Sequence, residues 1–131
     1  MQDLDRWVEY WQKRFRLNDW KISARLGRPA YVDENKVRTR CHGVTEWNPG
    51  EMTAKITLAK NAGNRTLCHE ILHIVLEGEE ECPGYVAATE RKIERIVDCI
   101  FEQEPVLNTP SPPVLSCPSP VATIGSENSS Q

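Results

Sequence analysis

The sequence predicts an α+β domain, and three observations carry that prediction. Apolar residues recur at helical spacing near the amino terminus and again beyond residue 63, they alternate at strand spacing between, and they give way to a Pro/Ser-rich run from Pro105. The resulting order, α-βββ-αα with hairpin-length connections, implies a small three-stranded, mainly antiparallel sheet packed against helices.

Asp3 is placed to cap a helix whose apolar residues Leu4, Trp7, Val8, Trp11 and Phe15 fall on one stripe, and Leu17-Asn18-Asp19 ends it. Trp20, Ile22, Ala24 and Leu26 then alternate with Lys21, Ser23 and Arg25, a strand with one buried face, until Gly27-Arg28-Pro29 breaks it. A second strand is expected around Val37 to Trp47, closed by the turn residues Asn48-Pro49-Gly50. The third, Ala54 to Leu58, alternates again. From Asn64 to Glu77 the chain reads as a helix. Leu67, Ile71, Leu72, Ile74, Val75 and Leu76 cover most of its circumference, which makes it central, and Gly78 suits its C-cap. After Pro83-Gly84 a last helix, Val86 to Gln103, carries Ile93, Ile96, Val97, Ile100 and Phe101 on one face.

At 131 residues the chain has room for one ordinary domain. Residues 105–131 hold six of the nine prolines, six serines and a single charged side chain, Glu127. Such a segment buries too little apolar surface to offset its ordering entropy, so the folded unit is expected at 1–104 and a disordered tail at 105–131. The formal charge is −3, with acids and bases interleaved and no basic block, so no nucleic-acid partner is indicated. No apolar run is long enough to span a membrane, and the amino terminus lacks the apolar stretch of an export signal, so a cytoplasmic location is expected. Five cysteines, an odd number with no C-x-x-C spacing, predict reduced thiols, Cys68 and Cys99 lying on buried helix faces.

The chemistry concentrates in His69-Glu70-Ile71-Leu72-His73, an H-E-x-x-H pattern inside the central helix. Residues i and i+4 share one helix face, so both imidazoles reach a single metal ion, and the acid at i+1 sits beside them. Zinc is the metal this donor set suits for hydrolysis. Glu70 is then the general base that takes a proton from a water acidified by the metal. Two unpaired imidazoles in an otherwise mostly buried helix would be costly, which favours a metal over two surface histidines on an ordinary helix.

A catalytic zinc needs a third protein ligand and an open position. His42 is the only other histidine and precedes the motif, so the ligand is sought on the last helix, where Glu90, Glu94 and Asp98 form a row at spacings of four. One carboxylate of that row would bind the metal while the next holds a motif histidine by its other ring nitrogen. Helix phase leans towards Glu90, about 50° from the apolar centre against about 90° for Glu94, and leaves both assignments open.

This layout resembles the gluzincin metallopeptidases, in which a helix bearing H-E-x-x-H precedes one bearing E-x-x-x-D, written here as Glu94-Arg95-Ile96-Val97-Asp98. Over residues 1–103 it looks like the compact phage- and prophage-type minigluzincins, which have a helix, a small sheet, the motif helix and a closing glutamate helix. The resemblance implies one zinc ion (Zn2+) on His69, His73 and Glu94, with Glu70 as base and Asp98 as the acid behind a ligand histidine. It also implies a peptide or protein substrate paired along an exposed edge strand, with Ala54 to Leu58 the candidate, and a host-cytoplasmic setting if the chain is phage-encoded. A stabiliser for the oxyanion would be Tyr85, in the loop between the two helices, or His42. A zinc-stabilised protein-binding module with little or no proteolytic activity is the alternative function.

Overall fold

A computed structural model describes residues 3–32, 35–76 and 83–113. It is an α+β fold with three α-helices and a small mixed sheet. Helix α1 (Leu4–Arg14) is followed by strands β1 (Lys21–Gly27), β2 (Ala30–Val32), β3 (Arg38–Arg40), β4 (Gly43–Asn48) and β5 (Thr53–Ala59). Helices α2 (Asn64–Val75) and α3 (Pro83–Gln103) come next, and a single 3-10 turn, Pro105–Asn108, closes the described chain. No described helix is long and apolar enough to cross a membrane.

The three-stranded sheet runs β1-β5-β4, with β5 antiparallel to β4 and parallel to β1. The sheet is therefore mixed, where the sequence predicts a mainly antiparallel one. The last strand inserts between the other two instead of extending a meander, and the reason lies in its side chains. Ala54, Ile56 and Leu58 are all buried, the fullest apolar face of any strand, so β5 takes the centre. The edge strands are more polar: Leu26 of β1 is half-exposed and β4 carries the exposed Glu46. The second expected strand divides at Cys41-His42 into β3, which pairs with β2 as a separate hairpin, and β4. Tyr31, Val32 and Val37 leave that hairpin with exposed apolar side chains.

One face of the sheet packs on α2, and α1 closes the core. Trp7 and Trp11 stack 6.4 Å apart at 24°, and Trp11 also lies against Phe15 and Phe101. Asp3 occupies the N-cap position without a side-chain cap; its carboxylate instead accepts the Ser111 hydroxyl. Cys68 is fully buried, but Cys99 is exposed, two positions from the buried Val97 and so on the far side of α3. Gly78, Cys82 and Cys117 lie outside the described residues.

The folded region continues past 104. Leu107 is fully buried, its carbonyl accepts Asn64 Nδ2 at 2.9 Å, and the Pro110 carbonyl accepts Trp7 Nε1 at 3.0 Å. Residues 105–113, which composition assigns to the tail, are thus anchored on α1 and the start of α2 at Leu107, Pro110 and Ser111; one well-placed leucine does what average composition conceals.

Glu104 takes a bidentate contact from Arg14 of α1, which holds its carboxyl below the ordinary carboxylate range. A depressed folded-state pKa means the stabilisation is present above the unfolded carboxylate pKa and is lost as pH falls through the folded value. Because the Glu104 side chain is 39% exposed, solvent screening keeps the effect small. Glu104→Gln is expected to lower stability at neutral pH by no more than about 1 kcal/mol, and by less in acid. Urea midpoints at two pH values measure the difference, and an equal loss at both would refute the assignment.

Candidate metal centre

Helix α2 is amphipathic in an unusual sense: its apolar face fills the core while its other face lines a cleft. Leu67, Cys68, Ile71, Leu72 and Ile74 are buried in the core. Burial pushes the Cys68 thiol up to about 12, so it is no thiolate and no rival ligand at neutral pH. His69, Glu70 and His73 face a cleft of about 710 Å³ that β4, α2 and α3 enclose together with Tyr31 and Cys41. This volume lies within the range of small-molecule and peptide sites, about 300–1,000 Å³.

One ligand-type atom from each of His69, Glu70 and His73 lies within 4.8 Å of the other two. Glu90 of α3 completes the arrangement. Its Oε2 stands 3.0 Å from His69 Nε2 and its Oε1 2.8 Å from His73 Nε2. Behind His69, Glu94 Oε2 stands 2.5 Å from Nδ1. Asp98, one turn further on, pairs instead with Arg65 of α2, whose guanidinium lies 5.7 Å from the Phe101 ring centre.

The row of three acids therefore divides differently from the pattern the resemblance implies. Glu90 touches both Nε2 atoms, Glu94 takes the position behind a histidine, and Asp98 touches neither. The physical cause is the docking of α3, which sets the turn bearing Glu90 opposite the turn between the two histidines.

The chemistry of these contacts fits a divalent metal. A neutral imidazole has one N–H and one lone pair. If a neutral His69 gives its Nδ1–H to Glu94, its Nε2 presents a lone pair to the Glu90 carboxylate, and either a proton or a metal ion between them satisfies both. Two donors on one tetrahedral zinc stand about 3.3 Å apart, from bond lengths of about 2.0–2.1 Å. Contacts of 2.8 and 3.0 Å need to open by only a few tenths of an ångström to take the ion. Two imidazoles and one carboxylate are also the donor set of a hydrolytic zinc site.

The cluster of His69, Glu70 and His73 contains Glu70 where the paired contacts contain Glu90. The two acids are distinguished by what else holds them. Glu70 is only 7% exposed and is bound from the sheet side: the Thr45 hydroxyl lies 2.8 Å from its Oε1. Burial raises the Glu70 pKa; the Thr45 hydrogen bond and the two imidazoles oppose that rise. Glu90 is half-exposed on α3, and its carboxylate is held by the two histidines.

Strand β4 supplies the rest of the wall. Gly43, Thr45 and Trp47 are in register with Leu58, Ile56 and Ala54, so all three share the face that meets α2. Trp47 stacks on the His73 ring, 6.4 Å between centres at 22°. His42 is exposed on the rim of the cleft, and Tyr85 lies in the first turn of α3, not in a loop, with its side chain outside the described residues. Sequence reading missed Gly43, Thr45, Trp47, Tyr31 and Arg65. Only the first three had a signal, their common parity along one strand. Comparison with protein-family models, with curated proteins and with solved structures returns no match to this chain.

Proposed function

We propose that this protein is a zinc-dependent metallopeptidase that holds its metal with His69, His73 and Glu90 and uses Glu70 as general base. The carrying observation is the convergence of two Nε2 atoms on one carboxylate, with a second, buried carboxylate beside them and a cleft in front. The order of helices matches the gluzincin plan once the glutamate pair is read one turn earlier, as Glu90-x-x-x-Glu94. In that plan Glu94 fixes the His69 tautomer, leaving Nε2 free to ligate.

A zinc ion so held would supply an acidified water and polarise a peptide carbonyl. Glu70 would take the proton and deliver it to the leaving amine, a role suited by its place beside the two histidines and its hydrogen bond from Thr45. The substrate-pairing edge moves from β5, which is central, to β4. The Ala59 N–H to His42 carbonyl bond sets the alternation, so the backbone groups of Gly43, Thr45 and Trp47 point away from β5. No described strand pairs with that edge. An extended peptide laid along it passes beside the metal ligands, held by main-chain hydrogen bonds.

The test is a comparison of wild type with Glu70→Gln on a peptide library, each confirmed to carry one zinc. Cleavage by the wild type alone supports the peptidase. Equal zinc in both with cleavage by neither overturns it in favour of a zinc-stabilised binding module.

A further inference from the structure

Two imidazoles with two carboxylates nearby pose a question that the peptidase reading leaves open. Both acids are competent zinc ligands, and one ligand-type atom of Glu70 lies within 4.8 Å of the histidine donors, near enough for a side-chain rotation to bring it onto the metal. A site that recruited Glu70 as well as Glu90 would have four protein ligands, which is the closed arrangement of structural zinc. Catalysis needs that fourth position open. Something must therefore hold Glu70 back.

We infer that Thr45 and Gly43 of β4 keep Glu70 as a base instead of a ligand, and so keep the metal site open. The inference rests on the proposed metal site and deepens it. Oε1 of Glu70 accepts the Thr45 hydroxyl at 2.8 Å, and the same hydroxyl lies 3.2 Å from the Glu70 carbonyl, which sets it squarely over this residue. The other side of the carboxylate rests on Gly43. A Cβ there would stand 3.0 Å from Glu70 Cγ and 3.1 Å from Oε2, tighter than ordinary contact. One strand thus gives the base a hydrogen bond at one oxygen and the space for the other. Both residues are positioning residues: they act through Glu70.

Loss of the hydroxyl frees Oε1 to turn towards the histidines. Loss of the space at Gly43 crowds the same carboxylate, with the Leu58 Cδ2 methyl also 3.1 Å from the added carbon. Either change converts an open three-ligand site into a closed four-ligand one. The two outcomes differ in metal binding as well as in rate, so the idea is testable without any known substrate.

The experiment uses the full chain loaded with cobalt(II), whose visible absorption reports coordination. Wild type, Thr45→Val, Thr45→Ser and Gly43→Ala are compared by spectrum, by competition with a chelator and by cleavage of the peptide library. Thr45→Val, nearly isosteric, is expected to shift the cobalt bands, to bind cobalt about 10- to 100-fold more tightly, and to lose kcat by a similar factor at unchanged KM. Thr45→Ser restores the wild-type spectrum, affinity and rate. Gly43→Ala moves in the direction of Thr45→Val and decides the matter if the valine variant does not fold. Unchanged or weaker cobalt binding in Thr45→Val and Gly43→Ala overturns the inference, as does a serine variant that behaves like the valine one. If the wild type binds cobalt but cleaves nothing, the peptidase reading falls and the cobalt comparison still decides the role of Thr45. A wild type that takes up no cobalt removes the metal site and this inference with it.

Discussion

Glu90→Ala is expected to abolish stoichiometric zinc binding, while Glu94→Ala keeps the ion with affinity reduced about 10- to 100-fold. The difference follows from which nitrogen each acid meets. Glu90 lies on Nε2 of both histidines, the atoms that face the cleft, at 3.0 and 2.8 Å. Removing it leaves two protein ligands, too few for a zinc site. Glu94 meets only His69 Nδ1, so its removal frees the ring to change tautomer without removing a donor. Asp98→Ala serves as the control: it breaks the exposed pair with Arg65 and should leave zinc unchanged. Metal content after dialysis and competition with a chelator give the comparison directly. Stability provides a second readout, because binding to the folded state alone is worth about 4 kcal/mol at a thousandfold excess over Kd. Chelation should therefore lower the melting temperature of the wild type and leave Glu90→Ala unmoved. Zinc lost from Glu94→Ala but retained by Glu90→Ala would restore the assignment with Glu94 as ligand and Asp98 behind a histidine.

The contrast between those acids shows where sequence stops informing. His69, Glu70 and His73 are legible because a helix repeats every 3.6 residues, and i, i+1 and i+4 are neighbours whatever the tertiary structure. Glu90, Glu94 and Asp98 share one stripe by the same rule, and that equivalence hides which of them meets the metal. Only the docking of α3 on α2 separates them. Strands behave likewise. Alternation locates β1 and β5 and shows which residues share a face, yet a period of two carries no information about neighbours, so the central place of β5 was not visible. Thr45 is the sharpest case. On sequence it is a polar residue between Val44 and Glu46; in the fold its partner across the ladder is the buried Ile56, and its hydroxyl meets the base. Tertiary packing gives an ordinary residue its chemical role.

Ending the chain at residue 104 should cost far more stability than ending it at 113, although composition groups all of this region as one Pro/Ser-rich run. Three contacts make the difference. Leu107 is fully buried in the core that α1, α2 and α3 share, and truncating a buried leucine costs about 2–5 kcal/mol. Asn64 Nδ2 loses the Leu107 carbonyl and Trp7 Nε1 loses the Pro110 carbonyl. Each buried donor left without a partner costs about 1–3 kcal/mol, towards the low end where water can enter. The expected difference is about 4 kcal/mol or more, against a total stability of about 5–15 kcal/mol. Asn64 links the loss to the metal site: it opens α2, and its Oδ1 accepts Trp11 Nε1 at 2.7 Å. When its other partner goes, the first turn of the helix that carries His69 loses one of its two anchors. Urea unfolding of the two truncated chains and of full-length Leu107→Ala, each with zinc and with chelator, measures the effect. Leu107→Ala should account for at least half of the difference between the truncations. Equal midpoints for the chains ending at 104 and 113 would show that the closing 3-10 turn contributes nothing to the core.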